Sequence, residues 1–413
     1  MKVLKNRNAN ILKPGGGKKM KLSDKALGIS PSMTLKISAM AKKMQAEGCD
    51  VIDFGAGEPD FDTPQNIKDA AKKALDLGLT HYTNASGTPE LRAAVAERLK
   101  IKYALEYSAD DIVISNGAKH SLFNVFATIL NPGDEVIIPV PYWLTYPELV
   151  RMSDGIPVFL ETDSTFKATA KSIKGAITKN TKALLLNSPS NPSGAVYSKN
   201  ELVEIAKVAL EAGIFVVSDE IYDELIYEGS HTSIASLGKE IKDATIIVNG
   251  LSKTYAMTGW RIGYTASTAE IAKVMGAYQS HAASNPNTIA QYASIEALNG
   301  PQEDVANMKA AFNKRRIMLC DLINGIEGVS CTVPQGAFYV MMDISKLKGK
   351  TSGDMVINGS LDFTEALLKE TMTAVVPGIS FGADDYIRLS YATKEENIVN
   401  GLKRIDKFVK SLK

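Results

Sequence analysis

The chain has 413 residues, 45% of them apolar and 23% charged, with a formal net charge of +1. That length and apolar content suit a globular protein with a large buried core, beyond the usual size of one domain. A nearly neutral balance excludes recruitment to nucleic acid or membrane by a strong field, and no apolar run approaches the roughly 18–20 residues that span a bilayer.

Residues 1–25 are rich in Lys and Arg, carry Asp24 as their only acid and include Pro14 followed by three glycines. They lack the apolar core of a secretory signal. Their GGGKK cluster also lacks the G-x4-G-K-[ST] spacing of a phosphate loop. A disordered basic tail is expected. Residues 26–62 are expected to form an arm that joins a small domain, residues 63–300 a large domain, and residues 301–413 a small C-terminal domain.

Apolar runs fall at residues 111–115 (DIVIS), 135–139 (EVIIP), 157–160 (PVFL), 183–187 (ALLLN), 214–218 (IFVVS), 245–249 (TIIVN) and 261–265 (RIGYT). Most are continuously apolar and β-branched, which predicts strands covered on both faces of an α/β sheet. Between them, Ser198 and Gly213 punctuate an amphipathic helix over Lys199–Ala212. Only about a dozen residues join TIIVN to RIGYT, whereas a parallel crossover needs a dozen or more and usually a helix. The last strand is therefore expected to run antiparallel, with Arg261 at the edge where the parallel strands end. After residue 300 a charged helix over 302–324, the stretches TVPQGAFYVMMDIS and YIRLSYA, and a terminal amphipathic helix predict a smaller α+β domain.

Ligands of open parallel sheets sit at the carboxyl ends of the strands. The residues just past each run therefore compose a candidate site: Gly117 and Ala118 opening a helix, Trp143, Asn191, Asp219 with Tyr222, and Ser252 with Lys253. Gly117, Ala118, Ser252 and Arg261 make a phosphate cup of backbone N–H groups, a hydroxyl and a guanidinium. Trp143 offers a stacking face to an aromatic ring. A carboxylate on a core strand is costly unless paired; opposite a ring nitrogen, Asp219 keeps that nitrogen protonated. Tyr222 and Asn191 can donate to a phenolate-like ring oxygen, and a lysine in reach of an aldehyde forms a Schiff base. This combination specifies pyridoxal 5′-phosphate.

These residues lie in the stretches FGAGEPDFDTP, HYTNASGTPELR, PYWLTYPE, NSPSNPSGAVY, VSDEIYDEL, SKTYAMTGWRIGY and IRLSYA. Together the stretches resemble the fold-type I pyridoxal-phosphate-dependent aminotransferases, in the bacterial branch of the aspartate aminotransferase family, from about residue 30 to the C-terminus. The resemblance implies the transferase fold of that group, with a mostly parallel seven-stranded sheet in the large domain. It implies Lys253 as Schiff-base lysine and proton shuttle, Asp219 at the pyridine nitrogen, Tyr222 and Asn191 at the ring oxygen, and Trp143 on the ring face. Arg388 would bind the substrate α-carboxylate with Asn191 and the backbone at Gly57, and Lys119 its distal carboxylate. Tyr82 would reach the phosphate of a neighbouring subunit, which makes the protein a homodimer with shared sites.

The expected reaction is ping-pong transfer of the amino group between L-aspartate and 2-oxoglutarate. Broader, aromatic or prephenate specificity is one alternative, and a pyridoxal-phosphate-dependent lyase on the same scaffold is another. Two features depart from relatives. Gly250 stands where some carry a second phosphate-binding serine, and Ser30 stands where prephenate-accepting members carry a basic residue before PS-x-T. A ligand-sensing regulator would need a DNA-binding module ahead of the arm, where fewer than 30 residues stand. The scattered Cys49, Cys320 and Cys331 predict free thiols in a reducing cytoplasm. The four histidines are too dispersed to hold a metal.

Overall fold

The computed structural model describes residues 21–31 and 33–413. Seven strands form the larger sheet: β1 (Ile112–Ser115), β2 (Glu135–Val140), β3 (Ile156–Glu161), β4 (Thr181–Asn187), β5 (Phe215–Asp219), β6 (Thr245–Gly250) and β7 (Gly263–Ala266). Their order across the sheet is β1-β7-β6-β5-β4-β2-β3. The pairs among β2 to β6 are parallel. β7 is antiparallel to both β1 and β6, as the short connection ahead of it requires.

Alternate residues of each strand enter opposite cores. Val113, Ile138, Leu185, Val217 and Val248 pack on one face with the helix Ala118–Ile129 (α1). Ile137, Leu184 and Val216 pack on the other with Lys199–Ala212 (α2). The predicted signals bound α2: Ser198 and Glu201 form a capping box, and Gly213 leaves in the left-handed conformation at φ 65°.

The smaller sheet is antiparallel and built from β8 (Ser330–Cys331), β9 (Tyr339–Asp343), β10 (Val376–Pro377) and β11 (Tyr386–Ser390), in the order β10-β11-β9-β8. Phe312 from helix α3 (Glu303–Asn324), Phe363 from α4 (Ser360–Thr371) and Phe408 from α5 (Glu395–Ser411) join Phe338 and Leu389 in its core. Ile52–Asp53 pairs in parallel with Thr373–Ala374, so an early segment packs with the last part of the chain. Of the basic stretch expected over 1–25, residues 1–20 lie outside the described residues. A helical turn, Asp24–Leu27, runs across its expected end.

Two of the strand starts that differ from expectation have a local cause. A 3-10 turn closed by Ser108 and Asp111 takes up residue 111, so β1 begins at Ile112. The turn Thr258–Trp260 ends with Arg261 left-handed at φ 58°, so β7 begins at Gly263 and Arg261 precedes the ladder.

Gly263 is paired to Ser115 on one side and Gly250 on the other. A Cβ built on it would stand 2.2 Å from the Ala118 nitrogen and 2.4 Å from the Gly117 carbonyl carbon. Only glycine lets β7 pass beneath the start of α1. Gly263→Ala is expected to lower stability by about 1–3 kcal/mol, the usual range for overpacking. A denaturant midpoint equal to that of the parent would show that the α1 end yields freely.

Candidate active site

The carboxyl ends of β1, β4, β5 and β6, the start of β7 and the smaller sheet surround a cavity of about 400 Å³. Lys253, Asp219, Tyr222, Asn191, Trp143, Ser252, Ala118 and Arg261, which the strand-end reading gathers, line it together with Lys119, Gly57 and Arg388, which the resemblance adds.

Asp219 ends β5 and is 3% exposed. Its carboxylate accepts from the Tyr146 hydroxyl at 2.7 Å and from the Ile221 amide at 3.2 Å. Both donors are neutral, and burial raises its pKa from 3.8 to about 6. Among the described residues no cation hydrogen-bonds it. Asn187, at the end of β4, donates to the Asp219 carbonyl at 3.0 Å, and its own side-chain oxygen accepts from the Asn191 amide at 2.8 Å. Neighbouring strand ends are thus stitched into one rigid floor.

Lys253 follows β6. Its Nζ donates to the Gly57 carbonyl at 2.5 Å, and burial lowers its pKa from 10.5 to about 8. At pH 8 roughly half of this amine is the free base, against less than about 1% of an ordinary lysine.

Arg388 sits on β11 at 2% exposure. Nη1 donates to Asn191 Oδ1 and Nη2 to the Gly55 carbonyl, each at 3.0 Å. The guanidinium lies 4.3 Å over the Tyr339 ring. Gly55 therefore braces Arg388, while Gly57 faces Lys253. The buried Arg388 Nε has no partner among the described residues. Tyr222 and Tyr339 share a hydrogen bond between their hydroxyls at 3.0 Å.

At the other end of the cavity, Arg261 donates to the carbonyls of Thr258 and Asn116 at 3.0 and 3.2 Å. Its guanidinium lies over Gly117, where a Cβ would come within 2.2 Å of Nη2. Gly117 itself, at φ 84°, gives its N–H to the Ser115 carbonyl at 2.8 Å. The N–H groups at the start of α1 are thus those of Ala118 and Lys119, and Gly117 contributes space instead. Lys119 Nζ stands 5.0 Å from the Trp143 ring centroid. Burial and Arg261 both lower its pKa. Tyr82 is not part of this constellation within one chain: it does not line the cavity and is 90% exposed.

These groups fit pyridoxal 5′-phosphate by their chemistry. A buried carboxylate on neutral donors suits a cationic ring nitrogen, and a lysine whose pKa is lowered to about 8 suits an aldehyde. A guanidinium over a helix start with no Cβ beneath it suits a phosphate. Sequence reasoning missed Tyr146, Asn187, Tyr339 and Thr258. Asn187, the polar residue closing ALLLN, was a legible signal. Tyr146 and Tyr339 look like core aromatics in sequence, and only their hydroxyl partners distinguish them.

Residues 49–405 match the family described as aminotransferase class I and II. A protein of Bacillus sp. (strain YM-2) named aspartate aminotransferase is 49% identical over 392 residues, covering 94% of this chain and 99% of that protein. One of Cereibacter sphaeroides named aspartate/prephenate aminotransferase is 44% identical, covering 95% and 99%. The crystal structure of the aspartate aminotransferase from Rhizobium meliloti superposes with a TM-score of 0.92 at 42% identity, covering 96% of this chain and all of that one.

Between the ordinary carboxyl value and about 6, the folded protein holds a proton on Asp219 that the unfolded chain has released. Stability therefore falls as pH rises through that window. In ligand-free protein, Asp219→Asn is expected to raise stability at pH 8 by about 2–3 kcal/mol and to change it little at pH 4. Denaturant titrations at both pH values check this. Equal gaps at the two would mean that buried charge is not the cause.

Proposed function

The chain belongs to the class I and II aminotransferases and has their pyridoxal-phosphate-dependent transferase fold, and from that premise we propose that it transfers the amino group between L-aspartate and 2-oxoglutarate, giving oxaloacetate and L-glutamate. The single observation that carries this reading is the meeting, in one cavity, of a lysine with a lowered pKa, a buried carboxylate without a cation, and a buried arginine with a spare donor.

Asp219 would hold the cofactor's ring nitrogen, Tyr222 and Asn191 its ring oxygen, and Trp143 its ring face. Arg261, Ser252, Ala118 and Lys119 at the start of α1, and Tyr82 of the partner subunit would hold its phosphate. Bound pyridoxal 5′-phosphate supplies an aldehyde that captures amines and a cationic ring that draws electrons from the substrate Cα. The chain's own residues do the rest. Arg388 grips the α-carboxylate through Nε and one Nη, already oriented by Asn191 and Gly55. Lys253, partly neutral near pH 8, takes the proton from Cα and returns one later from the same position. Asp219 stays ionised once a cation faces it, because an opposite charge at contact offsets the burial that raised its pKa. Lys119, beside Trp143, is the cation placed for the distal carboxylate of aspartate.

The sharing of Tyr82 makes the active protein a homodimer. The free Cys49, Cys320 and Cys331 suit the cytoplasm. Among the described residues no helix is long and apolar enough to cross a membrane. Prephenate is a second acceptor to consider, because several relatives carry that name. Against it, Ser30 offers no cation and its amide donates to Glu148 at 3.4 Å.

Purified protein is expected to be yellow, with absorbance that shifts on adding aspartate and reverts on adding 2-oxoglutarate. Lys253→Ala should lose turnover by orders of magnitude, and near-native turnover in that variant would end the proposal. Arg388→Lys should raise KM for every amino donor, since lysine cannot copy the fork. Lys119→Ala should penalise aspartate and glutamate by about 1–3 kcal/mol in kcat/KM, the usual worth of a charge-assisted hydrogen bond, while sparing alanine. Equal losses for acidic and neutral donors would remove Lys119 from the selectivity role.

A further inference from the structure

Two of the cations that line the cavity lean on one short stretch of irregular chain. Lys253 donates to the carbonyl of Gly57 and Arg388 to that of Gly55. Residues 55–62 make no strand or helix, so their hold on the two cations depends on side chains. Asp53 accepts from the Gly55 amide at 2.6 Å at the start of the stretch, and two further carboxylates reach outward from it. Asp60 pairs with Arg315 of α3 at 2.7 Å, and the Arg315 guanidinium lies 5.2 Å from the Phe61 ring. Glu58 accepts from the Thr258 hydroxyl at 2.7 Å, and Thr258 belongs to the loop that carries Lys253 on to Arg261. The Asp60 contact ties the stretch to the smaller sheet's helix. The Glu58 contact ties it to the loop of the reacting amine.

We propose that Glu58 is a positioning residue for Lys253: seated by Thr258 and next in the chain to Gly57, its carboxylate holds the Gly57 carbonyl against the amine and adds a negative charge near it. This rests on the aminotransferase reading for its meaning, though not for its test. The groups acting on the amine from the surrounding elements are Glu58 and Asp219, which favour its charged form, and Arg261 and Arg388, which oppose it.

The test reads the amine directly. Ligand-free full-length protein is trace-labelled with an acylating reagent across a pH series, and modification of the Lys253 peptide is measured by mass spectrometry. Glu58→Gln keeps an acceptor for the Thr258 hydroxyl and removes the charge. It is expected to move the midpoint of labelling down by about half a pH unit, as one partly screened charge should. Labelling near neutral pH then rises about threefold. Thr258→Val should move it the same way. Asp60→Asn, which loosens the other attachment, should leave it in place. An unmoved midpoint in Glu58→Gln, or an equal movement in Asp60→Asn, overturns the proposal. In protein loaded with pyridoxal 5′-phosphate, the acidic limb of the kcat/KM profile should follow the labelling. If the labelling moves as expected while loaded protein transfers no amino group, the functional reading fails and the role of Glu58 stands.

Discussion

Burying Lys253, Asp219 and Arg388 around one cavity without letting them neutralise each other is the constraint that shapes this molecule. An isolated buried charge costs several kcal/mol, and the simplest relief is an ion pair. The protein avoids that relief. Each charge instead rests on neutral groups: Tyr146 and the Ile221 amide for Asp219, the Gly57 carbonyl for Lys253, Asn191 and the Gly55 carbonyl for Arg388. The charges are kept apart and available. Substrate and cofactor then meet partners whose desolvation was completed during folding.

Parallel strands alone would deliver Asp219, Asn187 and Lys253 to this edge, because each follows a strand end. They would not deliver Arg261, which needs a strand that starts where the others finish. The reversed β7 provides that start, and the absence of a Cβ at Gly263 and Gly117 lets its approach fit under α1. The opposite end of the cavity comes from a different sheet altogether, through β11 and the stretch around Gly55. Catalytic geometry in this fold is thus a property of how two sheets meet.

Much of this was legible in the amino-acid order because the signals were local. Continuous β-branched runs marked the seven strands, Ser198 and Gly213 marked the bounds of α2, and a connection too short for a crossover marked the reversal of β7. Residues whose roles depend on contacts distant in sequence were not legible. Tyr146 finds Asp219 across 73 positions and Tyr339 finds Tyr222 across 117. Nothing beside either tyrosine announces its partner. The N–H of Gly117 is a subtler case: its amide turns back to Ser115, so its contribution is room for Arg261. Strand order across the sheet was also beyond reach, since no local feature states which strands become neighbours.

Arg388 carries one more consequence. It belongs to the smaller sheet, whereas Lys253 and Asp219 belong to the loops of the larger one. A substrate whose carboxylate met Arg388 while its Cα–H faced Lys253 would therefore be a strut between the two sheets. Every α-amino acid has the same separation between these two groups, whatever its side chain. On that proposed placement, the gap between the sheets would work as a ruler for that separation. Side chains differ freely beyond it, while a β-amino acid, longer by one carbon, cannot meet both ends at the same spacing.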